Sequence, residues 1–219
     1  MAKVSQGERV LKIRGLAQTR GERWLFQNVN ISIVSGSTLM LAGPNGSGKT
    51  TFLRTVAGFL KPQEGYIELS GAEDVRELAQ ELHFLGHLNA LKPNVTALDN
   101  LAVWVRLLAG DKSPERVSLS EALERLEIDH IADIPAGYLS AGQQRRPAPA
   151  RLLVVKGPFW IPGERPAALD ASGTALVAEM IDAHTERGGL AVVSTHLAIP
   201  LARSRVLDFT AAARSRAAP

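Results

Sequence analysis

Residues 43–51 read Gly-Pro-Asn-Gly-Ser-Gly-Lys-Thr-Thr and constrain the fold more than any other stretch of the chain. The spacing of glycine, lysine and threonine is that of a phosphate-binding loop. Such a loop follows a buried strand and opens a helix, because loop N–H groups and the helix N-terminus together attract an anion. The flanks fit, since residues 38–42 are mostly apolar and residues 51–60 carry apolar side chains at helical spacing. The sequence therefore predicts an α/β fold with a nucleotide site at this loop.

Each residue type in the loop has a predicted task. Glycines leave room for backbone N–H groups to curl around a polyphosphate. The Lys49 ammonium is spaced to reach the β- and γ-phosphates, and the Thr50 hydroxyl is spaced to hold Mg²⁺. We expect the nucleotide to be bound by Gly43, Pro44, Asn45, Gly46, Ser47, Gly48, Lys49, Thr50 and Thr51, with Thr50 as the metal ligand.

Composition narrows the possible functions. The chain has 219 residues, of which 45% are hydrophobic and 21% charged, as in ordinary globular domains. A formal charge of +3 is too small to favour a nucleic-acid partner. Cysteine is absent, which excludes disulfides and thiol catalysis. The sequence has no apolar run of membrane-spanning length and no signal-peptide core at its start, so we expect a cytoplasmic location.

Hydrophobic periodicity predicts an α/β chain interrupted by helices. We expect one domain over residues 1–209, with a helical subdomain at about 87–145 and a loose tail at 210–219. The first 70 residues predict antiparallel sheet packed against the strand and helix of the phosphate-binding loop. The predicted strands are 10–15, 28–34, 38–42, 66–69, 82–86, 158–161, 189–195 and 205–209, and the predicted helices are 51–60, 96–109, 114–126 and 173–187.

Three further motifs follow the loop in a fixed order. They are Leu-Ser-Ala-Gly-Gln at residues 139–143, Ala-Leu-Asp at 168–170, and Ser-Thr-His at 194–196 directly after an apolar strand. With the loop, they resemble the P-loop, signature, D-loop and switch histidine of ABC-type ATPases, over roughly residues 8–209. The resemblance implies a RecA-like P-loop NTPase core with an antiparallel β-subdomain and an inserted helical subdomain. It also implies ATP and Mg²⁺ as cofactors.

The resemblance implies a homodimer in which two chains close head to tail over two nucleotides. Ser140, Gly142 and Gln143 of the signature would lie at a helix N-terminus and face the partner's ATP. Asp170 would belong to the same interface. Arg20 occupies the position where an aromatic ring stacks on adenine, although a solvated loop charge is an equal alternative. Trp24 and Phe26 lie nearby and are the alternative candidates for that stacking contact.

The same resemblance suggests three catalytic side chains. Glu164 aligns with the glutamate that polarises the attacking water. His196 aligns with the residue that orients this water or contacts the γ-phosphate. His87 occupies the position of the usual Q-loop glutamine. The alternative interpretation is that His87 is an ordinary loop histidine exposed to water.

Short phrases narrow the resemblance to one subfamily. Leu-Gly-His at 85–87, Leu-Asp-Asn-Leu-Ala-Val-Trp at 98–104 and the run 135–143 are similar to ATP-binding subunits of the haem exporter of cytochrome c biogenesis. That similarity implies a peripheral subunit on the cytoplasmic face of the bacterial inner membrane, paired with the membrane subunits CcmB and CcmC. The alternatives are a non-hydrolysing ATP-binding subunit and a soluble ABC protein of repair or translation.

Residues 147–166 depart from the family pattern. Gly163 stands where the family has the Walker B aspartate that holds Mg²⁺ through water. Pro162 falls in an expected central strand, where it removes a ladder hydrogen bond. Pro147 and Pro149 fall in the helix expected after the signature, where an interior proline costs about 3 kcal/mol. Two hypotheses account for the cluster: a degenerate, weakly hydrolysing subunit, or a faulty stretch of coding sequence that resequencing would reveal.

Overall fold

The computed structural model describes residues 9–70, 81–86, 91–109, 117–155, 157–163, 170–194 and 201–210. Within them the strands are β1 (Val10–Arg20), β2 (Arg23–Val34), β3 (Ser37–Ala42), β4 (Glu64–Leu69), β5 (Leu82–Leu85), β6 (Phe159–Pro162), β7 (Leu190–Ser194) and β8 (Ser204–Asp208). The helices are α1 (Lys49–Val56), α2 (Ala97–Ala109), α3 (Leu119–Glu124), α4 (Pro147–Val154) and α5 (Ala171–Glu186), with 3-10 turns at Asp129–Ile131 and Ala136–Tyr138.

The first 70 residues form the expected antiparallel sheet, in the order β2-β1-β4. β1 and β2 are longer than predicted and meet in a tight turn, with Arg20 paired to Arg23. Leu11 and Ile13 of β1 are fully buried, whereas Lys12 between them pairs with Ser32 and is half-buried. This alternation places one face of the sheet against the core and leaves the other accessible.

A second sheet carries the phosphate-binding loop. Its order is β5-β6-β7-β3-β8, and all of its recorded pairings are parallel. The loop leaves the carboxyl end of β3 and enters α1, which is the position where open α/β sheets bind their ligands. Phe52 of α1 packs edge to face on Phe26 of β2 and on Phe209, at centroid distances of 5.6 and 5.4 Å. These rings join the antiparallel sheet to the nucleotide-binding sheet.

Helices α2, α3 and α4 lie between β5 and β6, and the helical subdomain at about 87–145 stays a prediction. Ser118 caps α3, because its Oγ accepts the Glu121 N–H at 3.1 Å. Arg151 of α4 holds its guanidinium 4.4 Å from the ring centroid of Trp104 in α2, so the two helices are joined by a cation–π contact. In the described ranges, each helix is too short or too polar to cross a lipid bilayer.

The two prolines after the signature lie in the first turn of a helix and not in its interior, which corrects the expected stability cost. Residues 141–146 form turns, and α4 begins only at Pro147. A proline in the first helical turn loses no hydrogen bond, because the N–H groups there have no partner within the helix. Pro147 and Pro149 therefore start the helix later instead of breaking it.

Pro162 interrupts the hydrogen-bond ladder between β6 and β7, as the sequence predicts. The Leu190 N–H donates to the Pro158 carbonyl, so alternate residues of β6, including position 162, direct their polar groups towards β7. Pairing with β7 stops at Trp160 and Ala191, whereas pairing with β5 continues to Pro162 and Leu85. Because proline has no N–H, the ladder towards β7 has no donor at this point.

Candidate nucleotide site

The loop at residues 43–48 has the backbone of a phosphate cradle. Gly43, Gly46 and Gly48 all have positive φ angles, of 133°, 75° and 108°. A Cβ on Gly48 would lie 3.2 Å from the Leu25 Cβ, and a Cβ on Gly43 would lie 3.1 Å from the Phe209 Cβ. Both positions therefore require glycine for conformation and for space.

Polar groups of the loop fit an anionic ligand. The Lys49 side chain is almost fully buried, and its ammonium donates to the Gly43 and Pro44 carbonyls at 2.7 and 2.8 Å. The Ser47 Oγ is buried and has no hydrogen-bond partner among the described residues. A buried hydroxyl without a partner is costly, and an added phosphate oxygen would satisfy it. The loop residues therefore fit a polyphosphate.

A cavity of about 650 Å³ opens beside the loop. It is lined by six of the nine predicted loop residues and by Arg20 at the end of β1. Arg20 is therefore placed beside the expected nucleotide, and its stacking on a base stays a prediction. The predicted members of the lining are Arg20, Asn45, Gly46, Gly48, Lys49, Thr50 and Thr51.

The cavity also contains side chains that the sequence reasoning missed. Arg54 lies one turn after Thr50 on α1, so its place on the same helix face could have been read from the i, i+4 spacing. Thr19, Leu25 and Leu60 complete the lining, and no local motif marks them because they arrive from β1, β2 and the segment after α1. Arg54 adds a third cationic side chain to the cavity wall, beside Arg20 and Lys49.

Phe26 is not available to stack on a base, which corrects that expectation. Its side chain is fully buried and lies edge to face against Phe52 and Phe209. The alternation of β2 turns it into the core, where it is a packing residue. Trp24, two residues earlier, is only half-buried and pairs across the strands with Thr19.

The signature residues form a capped turn and do not lie at a helix N-terminus, contrary to expectation. The Gln143 N–H donates to the Ser140 Oγ at 3.2 Å, and the Ser140 N–H donates to the Gln143 Oε1 at 3.0 Å. This reciprocal pattern is a capping box. The turn ends at Arg146 because Pro147 and Pro149 cannot donate to carbonyls of the preceding turn. Ser140 and Gly142 are exposed, as a contact with a second molecule requires.

The Asp170 carboxylate accepts hydrogen bonds from two residues of its own chain, Gly173 and Arg146. It caps α5 by accepting the Gly173 N–H at 2.8 Å, and the Arg146 guanidinium donates to both of its oxygens at 3.0 and 2.9 Å. The Gly173 hydrogen bond first, and Arg146 second, lower the pKa of the Asp170 carboxyl from its usual value. Contact between Asp170 and a nucleotide stays a prediction.

Gly163 lies where the carboxyl end of β6 approaches α1. Its N–H donates to the Leu85 carbonyl at 3.1 Å, and a Cβ built on it would come within 2.8 Å of that oxygen. An aspartate at this position would therefore require the ends of β5 and β6 to move apart. Within the described ranges, no group of three or more acidic or histidine side chains could hold a metal ion unaided.

The three predicted catalytic residues, His87, Glu164 and His196, lie outside the described residues. The strands that lead to them are described. β5 ends two residues before His87, β6 ends two residues before Glu164, and β7 ends two residues before His196. The carboxyl ends of parallel strands meet at one edge of a sheet, which is the edge that carries the phosphate-binding loop. Their roles stay predictions.

Comparison with known proteins agrees with this fold and loop. Residues 26–164 match the family model described as ABC transporter. The cytochrome c biogenesis ATP-binding export protein CcmA of Rhizobium meliloti (strain 1021) is 41% identical over 204 residues, covering 91% of this chain and 97% of the relative.

Two solved structures share the architecture. An ABC transporter ATP-binding protein of Pyrococcus furiosus superposes with a TM-score of 0.79 at 23% identity, covering 93% of this chain and 98% of its own. A dimeric ATP-binding cassette, solved with ADP and Pi in a post-hydrolysis state, has a TM-score of 0.71 at 25% identity, covering 85% of this chain and 88% of its own. The chain thus belongs to the ABC transporter family, among its cytochrome c biogenesis ATP-binding export proteins.

Proposed function

We propose that this chain is the ATP-binding and ATP-hydrolysing subunit of an ABC transporter that energises haem export for c-type cytochrome biogenesis. The observation that carries the proposal is the phosphate cradle at residues 43–48, with Lys49 and the partnerless Ser47 Oγ beside an open cavity. Relatives named as cytochrome c biogenesis export proteins support the transport role. The haem substrate rests on subfamily resemblance.

The described residues suggest how ATP is held. Loop N–H groups and the first turn of α1 donate to the phosphates, and the Lys49 ammonium moves from the Gly43 and Pro44 carbonyls onto them. Arg20 and Arg54 add positive charge to the cavity wall. Bound Mg²⁺, held by the Thr50 hydroxyl with phosphate oxygens and waters, would neutralise phosphate charge.

We further infer a homodimer docked on membrane subunits. The exposed Ser140 and Gly142 suit a contact with the partner's nucleotide, and a related cassette is dimeric in its solved structure. The membrane partners would be CcmB and CcmC, with this chain peripheral on the cytoplasmic face of the inner membrane. Co-purification with membrane proteins separates this role from that of a soluble ABC protein.

A second candidate function is favoured by Gly163. Without the Walker B carboxylate, the water that would link it to Mg²⁺ loses its protein anchor, and the chain would bind ATP without rapid turnover. It would then act as a regulatory or structural subunit whose ATP-bound state is the functional one.

Mg²⁺-dependent ATP hydrolysis tests both candidates. The parent chain is compared with a variant that carries Pro147→Leu, Pro149→Leu, Pro162→Leu and Gly163→Asp. Both proteins should bind ATP, and the proposed ATPase role predicts measurable turnover by the parent chain that is faster in the variant, because an aspartate restores the Mg²⁺ anchor. ATP binding without turnover by the parent chain would instead favour the second candidate. Equal turnover by both proteins would show that another residue does the work assigned to the Walker B aspartate.

A further inference from the structure

Arg146 joins three parts of the molecule. It is the last residue of the signature turn, defined here as residues 140–146. Its Nη2 donates to both Asp170 oxygens, at 3.0 and 2.9 Å, and to the Ser172 Oγ at 2.8 Å. Its Nη1 donates to the Leu126 carbonyl at 3.4 Å and lies 3.5 Å from the Glu127 carboxylate. One side chain therefore contacts the start of α5 and the segment after α3 while belonging to the turn between them.

These contacts require a guanidinium. A planar guanidinium carries five N–H donors in a fixed fork, so it can serve partners on two sides at once. The Arg146 side chain is only 15% exposed, which limits screening of its contacts by solvent. A lysine at this position would keep the charge but could not serve both the Asp170 side and the Leu126 side.

Asp170 extends the connection to the first turn of α5. Asp170 Oδ1, one of the two oxygens that accept from Arg146, also accepts the Gly173 N–H at 2.8 Å. A displacement of Arg146 therefore acts on the first turn of α5, and a displacement of α5 acts on the signature turn. The prolines at 147 and 149 strengthen the need for this link, because they separate the turn from α4.

We propose that Arg146 is a positioning residue that keeps the signature turn in register with the first turn of α5. In the dimer of the proposed function, on which this inference rests, that register sets where Ser140 and Gly142 meet the partner's nucleotide. Arg146 touches no nucleotide itself and acts through the backbone positions that it holds.

Backbone hydrogen–deuterium exchange on the full chain tests the link directly. In Arg146→Ala, we expect amides of residues 140–146 and of 170–173 to exchange about tenfold faster, with amides of β1 and β2 unchanged. Arg146→Lys should give an intermediate result. Arg125→Ala is the matched control, since Arg125 is a half-exposed arginine near α3 that pairs with Glu121, four residues earlier, at 2.6 Å.

A double-variant cycle shows whether the two sites are coupled. Asp170→Asn should accelerate exchange at residues 140–146 as Arg146→Ala does, and the combined variant should add little to either change. Faster exchange confined to residues 140–146 in Arg146→Ala would overturn the proposal, because the turn would then be loosened without any effect on α5. Unchanged exchange at both sites would overturn it as well.

ATP-driven dimerisation gives the functional readout, measured with ATP affinity in the same samples. We expect Arg146→Ala to weaken dimerisation about tenfold while changing protomer ATP affinity less than twofold, which general destabilisation would not do. Dimerisation equal to that of the parent chain would overturn the positioning role and leave the proposed function standing. A parent chain that binds ATP without dimerising would contradict the proposed homodimer, and the exchange result would still decide the role of Arg146.

Discussion

Gly163 and Lys49 show how single residues set what this site can do. Lys49 is buried and its ammonium donates to two loop carbonyls, from which it would move onto a bound phosphate. Gly163 supplies no carboxylate, and the Leu85 oxygen occupies the space next to its Cα. The nucleotide-binding half of the site is therefore intact, whereas the described part of the Mg²⁺-binding half is incomplete.

Titration of Asp170 separates the effects of its two hydrogen-bond donors, Gly173 and Arg146, on its pKa. We expect its pKa to lie below the usual value of 3.8 and to rise in Arg146→Ala without reaching that value, because the Gly173 N–H is the larger cause. The carboxyl carbon shift of Asp170, followed by NMR as pH falls, measures both values. An identical pKa in the parent and the variant would contradict the contact.

The sign of the pH effect follows from the direction of that shift. A carboxyl with a lowered folded pKa binds protons more weakly in the folded state than in the unfolded chain. Its contribution to stability is therefore present above the unfolded value of 3.8 and is lost as pH falls through the folded pKa. Fraying of the first turn of α5 is expected only in acid below that value.

At the scale of elements, α4 tests how the chain tolerates its prolines. Pro147→Ala should change the free energy of unfolding by less than about 1 kcal/mol, because a proline at the first helical position breaks no hydrogen bond. Urea denaturation measures the change, and Pro149→Ala serves as the companion variant. A gain of about 3 kcal/mol or more in either variant would show that the proline lies in a helix interior after all.

Periodicity predicted the elements well because their apolar faces are local. β3, β5, β6, β7 and α2 lie within about two residues of their predicted bounds. It did not predict where α4 begins. The family pattern predicts a helix directly after the signature, whereas the prolines leave a turn there and the helix starts at Pro147. It also could not place Thr19, Leu25 or Leu60 at the cavity, because sheet pairing brings them together from separate segments.

Arg146 illustrates the same limit within the signature. Arg146 lies three residues after the signature motif, but its main partner, Asp170, is 24 residues away along the chain. A contact of that separation depends on the packing of α5 against the helical subdomain. No local pattern contains this information.

At the scale of the whole molecule, the two sheets meet around the phosphate-binding loop. The antiparallel sheet contributes Arg20 and Leu25 to the cavity, and the parallel sheet contributes the loop and α1. The signature turn belongs to the helical subdomain and is absent from the described lining of that cavity. This separation agrees with a site that a second copy of the chain completes.

The measurement that tests the account most directly is the calorimetric titration of ATP into the parent chain, Lys49→Ala and Lys12→Ala. Lys12 is a half-exposed lysine on β1 that lies 3.9 Å from Glu68 and outside the described cavity lining, so it is the matched control. Thermal unfolding of each variant confirms that it is folded.

The account predicts that Lys49→Ala weakens ATP binding by about 10- to 100-fold, as expected from loss of a charge-assisted hydrogen bond worth about 1.5–3 kcal/mol. Lys12→Ala should bind ATP as the parent does. If folded Lys49→Ala binds ATP as tightly as the parent chain, the phosphates do not lie at residues 43–51 and the central claim is wrong.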